Sequence, residues 1–160
     1  MNSRVAAFLM VTVLALAPPL FGGGKNEIKA SVTFHLETEA TDNPKMIFPQ
    51  GVGDQTRYFR RMPEIGIKDI VSFSPFPSDT GEGFGVVFTL KSNAVNRFAA
   101  VTAANQGRWL IAQVNGRAVD GVVIDKQVND GFIVIWKGVT LEDVKILDEE
   151  IPRTGGENKK

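Results

Sequence analysis

Apolar and polar residues alternate from Ser31 to Glu39: Val32, Phe34 and Leu36 point one way, Thr33, His35 and Glu37 the other. Period-two alternation predicts a half-buried strand with its histidine on the polar face, at the surface. "TRYFRRMP" (Thr56 to Pro63) predicts a second strand, and "IGIKDIVSFSPF" (Ile65 to Phe76) a turn at Lys68-Asp69 followed by a strand from Ile70. "GVVFTL" (Gly85 to Leu90) reads as a buried strand. "MIFPQGVGDQ" fits no element.

The period then changes. Val95, Phe98, Ala99 and Thr102 fall at i, i+3, i+4 and i+7, one face of a helix that Ser92 or Asn93 can cap. Gly107 suits the left-handed residue that ends it. "WLIAQV" (Trp109 to Val114) and "AVDGVVI" (Ala118 to Ile124) flank Asn115-Gly116, the sequence of a type I′ hairpin turn. After a turn or short helix through Lys126 to Asp130, "GFIVIW" (Gly131 to Trp136) is another strand. Thr140 and Asp143 resemble a capping box opening a last helix with Leu141, Val144 and Leu147 on its apolar side; Pro152 stops it. Sequential antiparallel strands and two helices predict an α+β fold, an antiparallel sheet with the helices packed on one face.

An apolar run, Val5 to Ala17, follows Arg4 and precedes Pro18-Pro19. Its 13 residues rise about 20 Å as a helix, short of a hydrocarbon core of about 30 Å. The pattern is that of a signal peptide over residues 1–24, cleaved near Ala17, Gly22 to Gly24 or Ala30, with an uncleaved anchor as the alternative. The body is then a single domain over 25–152, exported to the periplasm or beyond, and 153–160 is a disordered polar tail. Lys plus Arg and Asp plus Glu number 18 each, so no global field points to nucleic acid or an anionic membrane surface. Cysteine is absent, which excludes disulfides, thiolate metal sites, a cysteine nucleophile and a lipidated cysteine.

No catalytic constellation emerges. His35 is the only histidine, so a multi-histidine metal site is excluded, and no G-x-S-x-G elbow supports a triad through it. Asp79-Thr80-Gly81 has the letters of an aspartic-protease site, but it occurs once and reads as a turn. "GGGKN" and "GEGFG" lack the spacing and context of phosphate loops. Arg57, Arg60 and Arg61 interleave with Tyr58 and Phe59, a solvated strand face, or a patch for an acidic protein segment or lipid headgroup. Asp120, Asp125 and Asp130 lack calcium-loop spacing and read as turn markers at strand ends. Glu142 and Asp143 suit a helix N-terminus, and Trp109 and Trp136 suit packing. The expected site content is therefore no catalytic, cofactor-binding or metal residues and no cofactor.

One resemblance covers about half the chain, in order. Ile67-Lys68-Asp69-Ile70 and Val86-Val87-Phe88-Thr89-Leu90 are followed by Ala94, Phe98, Thr102, Asn105 and Gly107-Arg108. Leu110-Ile111-Ala112, Asn115-Gly116-Arg117-Ala118-Val119, then Gly131, Ile133, Ile135 and Val139 to Val144 complete it. From Ile65 to Leu147 the chain resembles the head subdomain of the first periplasmic region of SecD, of the bacterial SecDF protein-export complex. It departs at Asp120-Gly121-Val122, where that family has Ser-Ala-Pro, and at Lys137, where it has glycine. The matched positions specify a fold, not a reaction. The resemblance implies a free-standing exported relative of a domain that contacts translocating or unfolded polypeptide. It carries no motor function, which in that family depends on membrane helices. The expected function is a non-catalytic binding module with a protein or peptide partner, an accessory in export or an independent envelope binder. The alternative is a small envelope hydrolase using acidic residues, with Asp79 its best candidate.

Overall fold

A computed structural model describes residues 29–155. The leader and residues 156–160 of the tail lie outside the described residues. The strands are β1 (Val32–Thr38), β2 (Ile47–Val52), β3 (Gln55–Arg60), β4 (Ile65–Gly66), β5 (Ile70–Pro77), β6 (Phe84–Leu90), β7 (Trp109–Val114), β8 (Arg117–Val123) and β9 (Phe132–Val139). The helices are α1 (Ser92–Ala104) and α2 (Leu141–Glu150), with a 3-10 turn at Ile67–Asp69.

The strands form two antiparallel sheets, not the one expected. The larger runs β2-β3-β1-β7-β8 with β4 also on β1; the smaller runs β5-β6-β9. Both give side chains to one core. Val32, Phe34 and Leu36 from β1 and Leu110, Ala112 and Val114 from β7 share it with Phe73, Val86, Phe88, Ile133 and Ile135 of the smaller sheet. The Phe34 and Phe88 rings meet edge to face at 6.2 Å. Ala94 and Phe98 of α1 and Val144 and Leu147 of α2 complete the core. Leu141, expected on the apolar side, is exposed because it lies in the first turn of α2, off the buried stripe.

Local chemistry explains most boundaries. Asn115 (φ 50°) and Gly116 (φ 78°) both take the left-handed conformation that the β7–β8 turn requires. At α2 the Asp143 amide donates to Thr140 Oγ1 (3.1 Å) and the Thr140 amide to Asp143 Oδ2 (2.9 Å), a closed capping box. The start of α1 differs from expectation: Lys91, not Ser92 or Asn93, is the N-cap and gives no side-chain bond. Its end differs too. The Asn105 side-chain amide donates to Val101 O (2.8 Å), whereas Gly107 (φ 84°) donates to Ile124 O (2.8 Å) and so opens the β7–β8 ladder. Residues 124–131 form no helix. Arg153 and Thr154, expected in the tail, are tied to β5: Phe73 donates to Pro152 O (3.1 Å), and Thr154 donates to Phe73 O (2.9 Å).

Candidate functional site

Each sheet ends on one strand that faces the other sheet: β8 closes the larger, β9 the smaller. The two run antiparallel as a hairpin joined by residues 124–131, yet no ladder links them. They are pinned at one end. Asp120 Oδ2 accepts the Trp136 amide (2.8 Å) while its Oδ1 accepts the Gly121 amide (2.9 Å). Arg117 Nη2 donates to Gly138 O (3.1 Å). Gly138 (φ 85°) passes so close to β8 that a Cβ there would lie 2.4 Å from Val119 O. Beyond this pin the strands splay.

The splay opens a cleft of about 420 Å³, floored by Phe98, Thr102 and Leu110 and walled by residues of β8 and β9. A second cavity, about 20 Å³, continues it inward between Ala112, Asp120, Val122 and Val134. The rim carries Val123 (46% exposed), Phe132 (45%) and Trp136 (56%), three of the large apolar side chains left open to water. Apolar area of this kind around a concavity is the usual mark of a binding site. At the far end the loop is held down: Val128 donates to Thr102 Oγ1 (2.9 Å), and the same hydroxyl donates to Phe98 O (2.8 Å).

The cleft also offers backbone. In an antiparallel ladder, alternate residues turn their peptide groups to the paired strand and the others away. Gly131 O accepts from Leu90 of β6, so Phe132 and Val134 turn theirs toward the cleft; Trp136 turns its amide toward β8, while its carbonyl lies against Gly85 of β6. Ile124 bonds back to Gly107 and Arg108, so Gly121 and Val123 turn theirs toward it from β8. Asp130 Oδ1 accepts the Phe132 amide (3.0 Å), and Asp120 takes those of Trp136 and Gly121. Val134 and Val123 lie between these carboxylates, on the side of their strands where no strand pairs.

Several residues singled out in the sequence lie elsewhere or act otherwise. Asp120 is inside β8 rather than at a strand end, and Asp125 lies exposed on the cleft wall. Asp79 is exposed on the turn between β5 and β6, with a Ser78–Thr80 hydroxyl bond (2.8 Å) beside it. His35 is 6% exposed, not at the surface. β3 leaves β1 there before β4 rejoins it, and the imidazole fills the break. Its Nδ1 lies 2.8 Å from Arg60 O and its Nε2 2.9 Å from Thr33 Oγ1. A carbonyl only accepts, so Nδ1 carries the proton and neutral Nε2 accepts from the threonine. Burial pushes the imidazole below the ordinary histidine pKa, against the pull of the Arg60 carbonyl and the Glu64 carboxylate.

The "RYFRR" stretch is not a free basic face. Phe59 is fully buried, Arg57 Nη1 pairs with Glu37 (2.6 Å) and its guanidinium lies 5.1 Å from the Trp109 ring, and Arg60 pairs with Glu64 (3.3 Å). Asp143 is the hub of a polar cluster, taking Asn115 Nδ2 (2.9 Å) and Arg117 Nη2 (2.6 Å) besides its cap. Burial alone would raise its carboxyl pKa; the bonds from Thr140 and Asn115 and the Arg117 charge outweigh that and hold it low.

No protein-family model and no curated protein matches this sequence. Solved structures do. One, of the membrane component SecDF that enhances protein export, superposes with a TM-score of 0.55 at 14% identity over 78% of this chain and 64% of that chain. A crystal structure of SecDF in a super-membrane-facing form gives a TM-score of 0.51 at 18% identity over 76% of this chain and 18% of the other. The chain spans less than two thirds of the length of either. The likeness takes in more of the chain than the half that carries the sequence resemblance, and at these identities it speaks for the fold. The described domain has a SecD periplasmic-head-like fold, with antiparallel sheets and two helices.

Proposed function

We propose that this chain is an exported, non-catalytic binding domain that takes a short extended segment of another polypeptide into the cleft between β8 and β9. One observation carries the reading: two strand edges without a pairing strand flank an apolar cleft. An inserted strand can bond to either edge while its side chains enter the cleft, the mode of β-augmentation. The outer edges support the contrast. β2 carries Pro49, and β5 carries Pro75, Pro77 and the segment through Thr154, all of which block pairing. The facing β8 and β9 contain no proline.

The setting follows from the likeness to SecDF, a component described as enhancing protein export. A periplasmic location, where such segments emerge, agrees with the leader and with the fold. Among the described residues no helix is long and apolar enough to cross a membrane.

Fluorescence anisotropy with a labelled, extended apolar peptide of about eight residues tests the binding. Val123→Asp and Phe132→Asp alter half-exposed side chains at the rim and leave the core intact. Each is expected to weaken binding roughly tenfold or more, the scale of losing an apolar contact and placing a charge there. Unchanged affinity in both variants would overturn the site. Affinity capture of the full chain from an envelope fraction, scored for SecDF subunits and exported proteins, tests the setting. Recovery of neither overturns the export role.

A further inference from the structure

We propose that the cleft selects extended segments in which a short apolar run carries basic residues at the end that lies by the 124–131 loop. The proposal rests on the peptide-binding reading and names its ligand class. Two carboxylates stand at the ends of the open β9 edge: Asp130 on the Phe132 amide and Asp120 on the Trp136 amide. Those amides are four residues apart, about 13 Å along a strand. An inserted run centred on Val134 therefore has room for about three to four extended residues before its ends reach an aspartate. Asp125 adds a third carboxylate on the loop side of the cleft wall.

The wall between these acids is apolar: Val122, Ile124, Ile133 and Val134. Cationic charge is sparser. Lys126 is the one basic side chain on this cleft's lining, whereas Asp120 lies off that lining and shares a neighbouring pocket with Lys137. The lining is thus net negative at the loop end alone, where Asp125 and Asp130 outnumber Lys126, and the ligand complementary to it is apolar along the wall and basic at that end. Asp130 is already fixed by its bond from the Phe132 amide, so it needs no reordering to meet a lysine or arginine. Asp125 and Asp130 are exposed, which limits each pairing and makes it salt-sensitive.

The test compares three labelled peptides that share one apolar core and differ only in Lys-Lys, Ser-Ser or Glu-Glu flanks, titrated with the full chain at low and at high salt. The Lys-flanked peptide is expected to bind roughly tenfold tighter than the Glu-flanked one at low salt, and the gap to shrink as salt rises. In the double variant Asp125→Asn/Asp130→Asn the gap is expected to collapse to about twofold. Asparagine at 130 keeps an oxygen for the Phe132 amide, so the edge is preserved while the charge is lost. Equal affinities for the three peptides, or a preference that persists in the double variant, overturns the charge selection and leaves cleft binding standing. Failure of all three to bind overturns the cleft reading itself.

Discussion

His35 takes its protonation state from the point where β3 stops. Its imidazole closes the gap between β3 and β4, between the Arg60 carbonyl and the Thr33 hydroxyl, with the Phe48 ring edge-on at 5.2 Å. A lowered folded-state pKa means that the unfolded chain takes up the proton first. Stability from this group is complete above the unfolded value, near 6.5, and is lost as pH falls from there through the folded value. Asp69 and Asp143, both held low, lend stability that is complete above about pH 4 and is lost only below it, so they add no slope in this range. Thermal denaturation from pH 7.5 to 5 should therefore show a falling Tm that flattens in His35→Gln. An equal slope in the variant would show that His35 is not the titrating group. Alternation along β1 correctly placed Val32, Phe34 and Leu36 in the core. It could not show that the opposite face is roofed by β2 and β3, because Pro49 and the glycines obscure the β2 pattern.

Elements are joined here by single polar side chains as much as by ladders. Asn115 reads in sequence as a turn former, and it is one. Its side chain also accepts the Ser31 amide (3.0 Å) and donates to Asp143 (2.9 Å), tying the start of β1 and the N-terminus of α2 to the β7–β8 turn. Removing either partner strands the other, at a cost of about 1–3 kcal/mol for a buried polar group. Asn115→Ala and Asp143→Ala should each destabilise the fold by about that much in urea denaturation, and the double variant by clearly less than the sum. Strict additivity would show that the two residues act separately. The Thr140–Asp143 cap was legible because its spacing is local. The partnership with Asn115, 28 residues away, was not, since only the packed fold brings them together.

At the scale of the molecule, the edges of β2, β8, β5 and β9 are treated differently. The β5 edge is blocked by Pro75 and Pro77 and by a strap in which Arg153 pairs with Asp148 (2.6 Å) and lies over the Phe73 ring. Deleting residues 152–160 together with Pro75→Val and Pro77→Val should produce concentration-dependent association in sedimentation velocity beyond that of the parent chain. No added association would show that the β5 edge needs no guard. The individual strands of this arrangement were mostly visible as periodicity, whereas the cleft was not. It arises from which edges stay unpaired, a property of the assembled sheets, and its aspartates look in sequence like turn residues. The bond from Val128 to Thr102 has a consequence for the cleft. With the loop already fastened to α1, its conformational entropy is lost when the chain folds rather than when a ligand arrives. The mouth is preorganised, and the free energy of each contact made there goes to affinity instead of to ordering the wall.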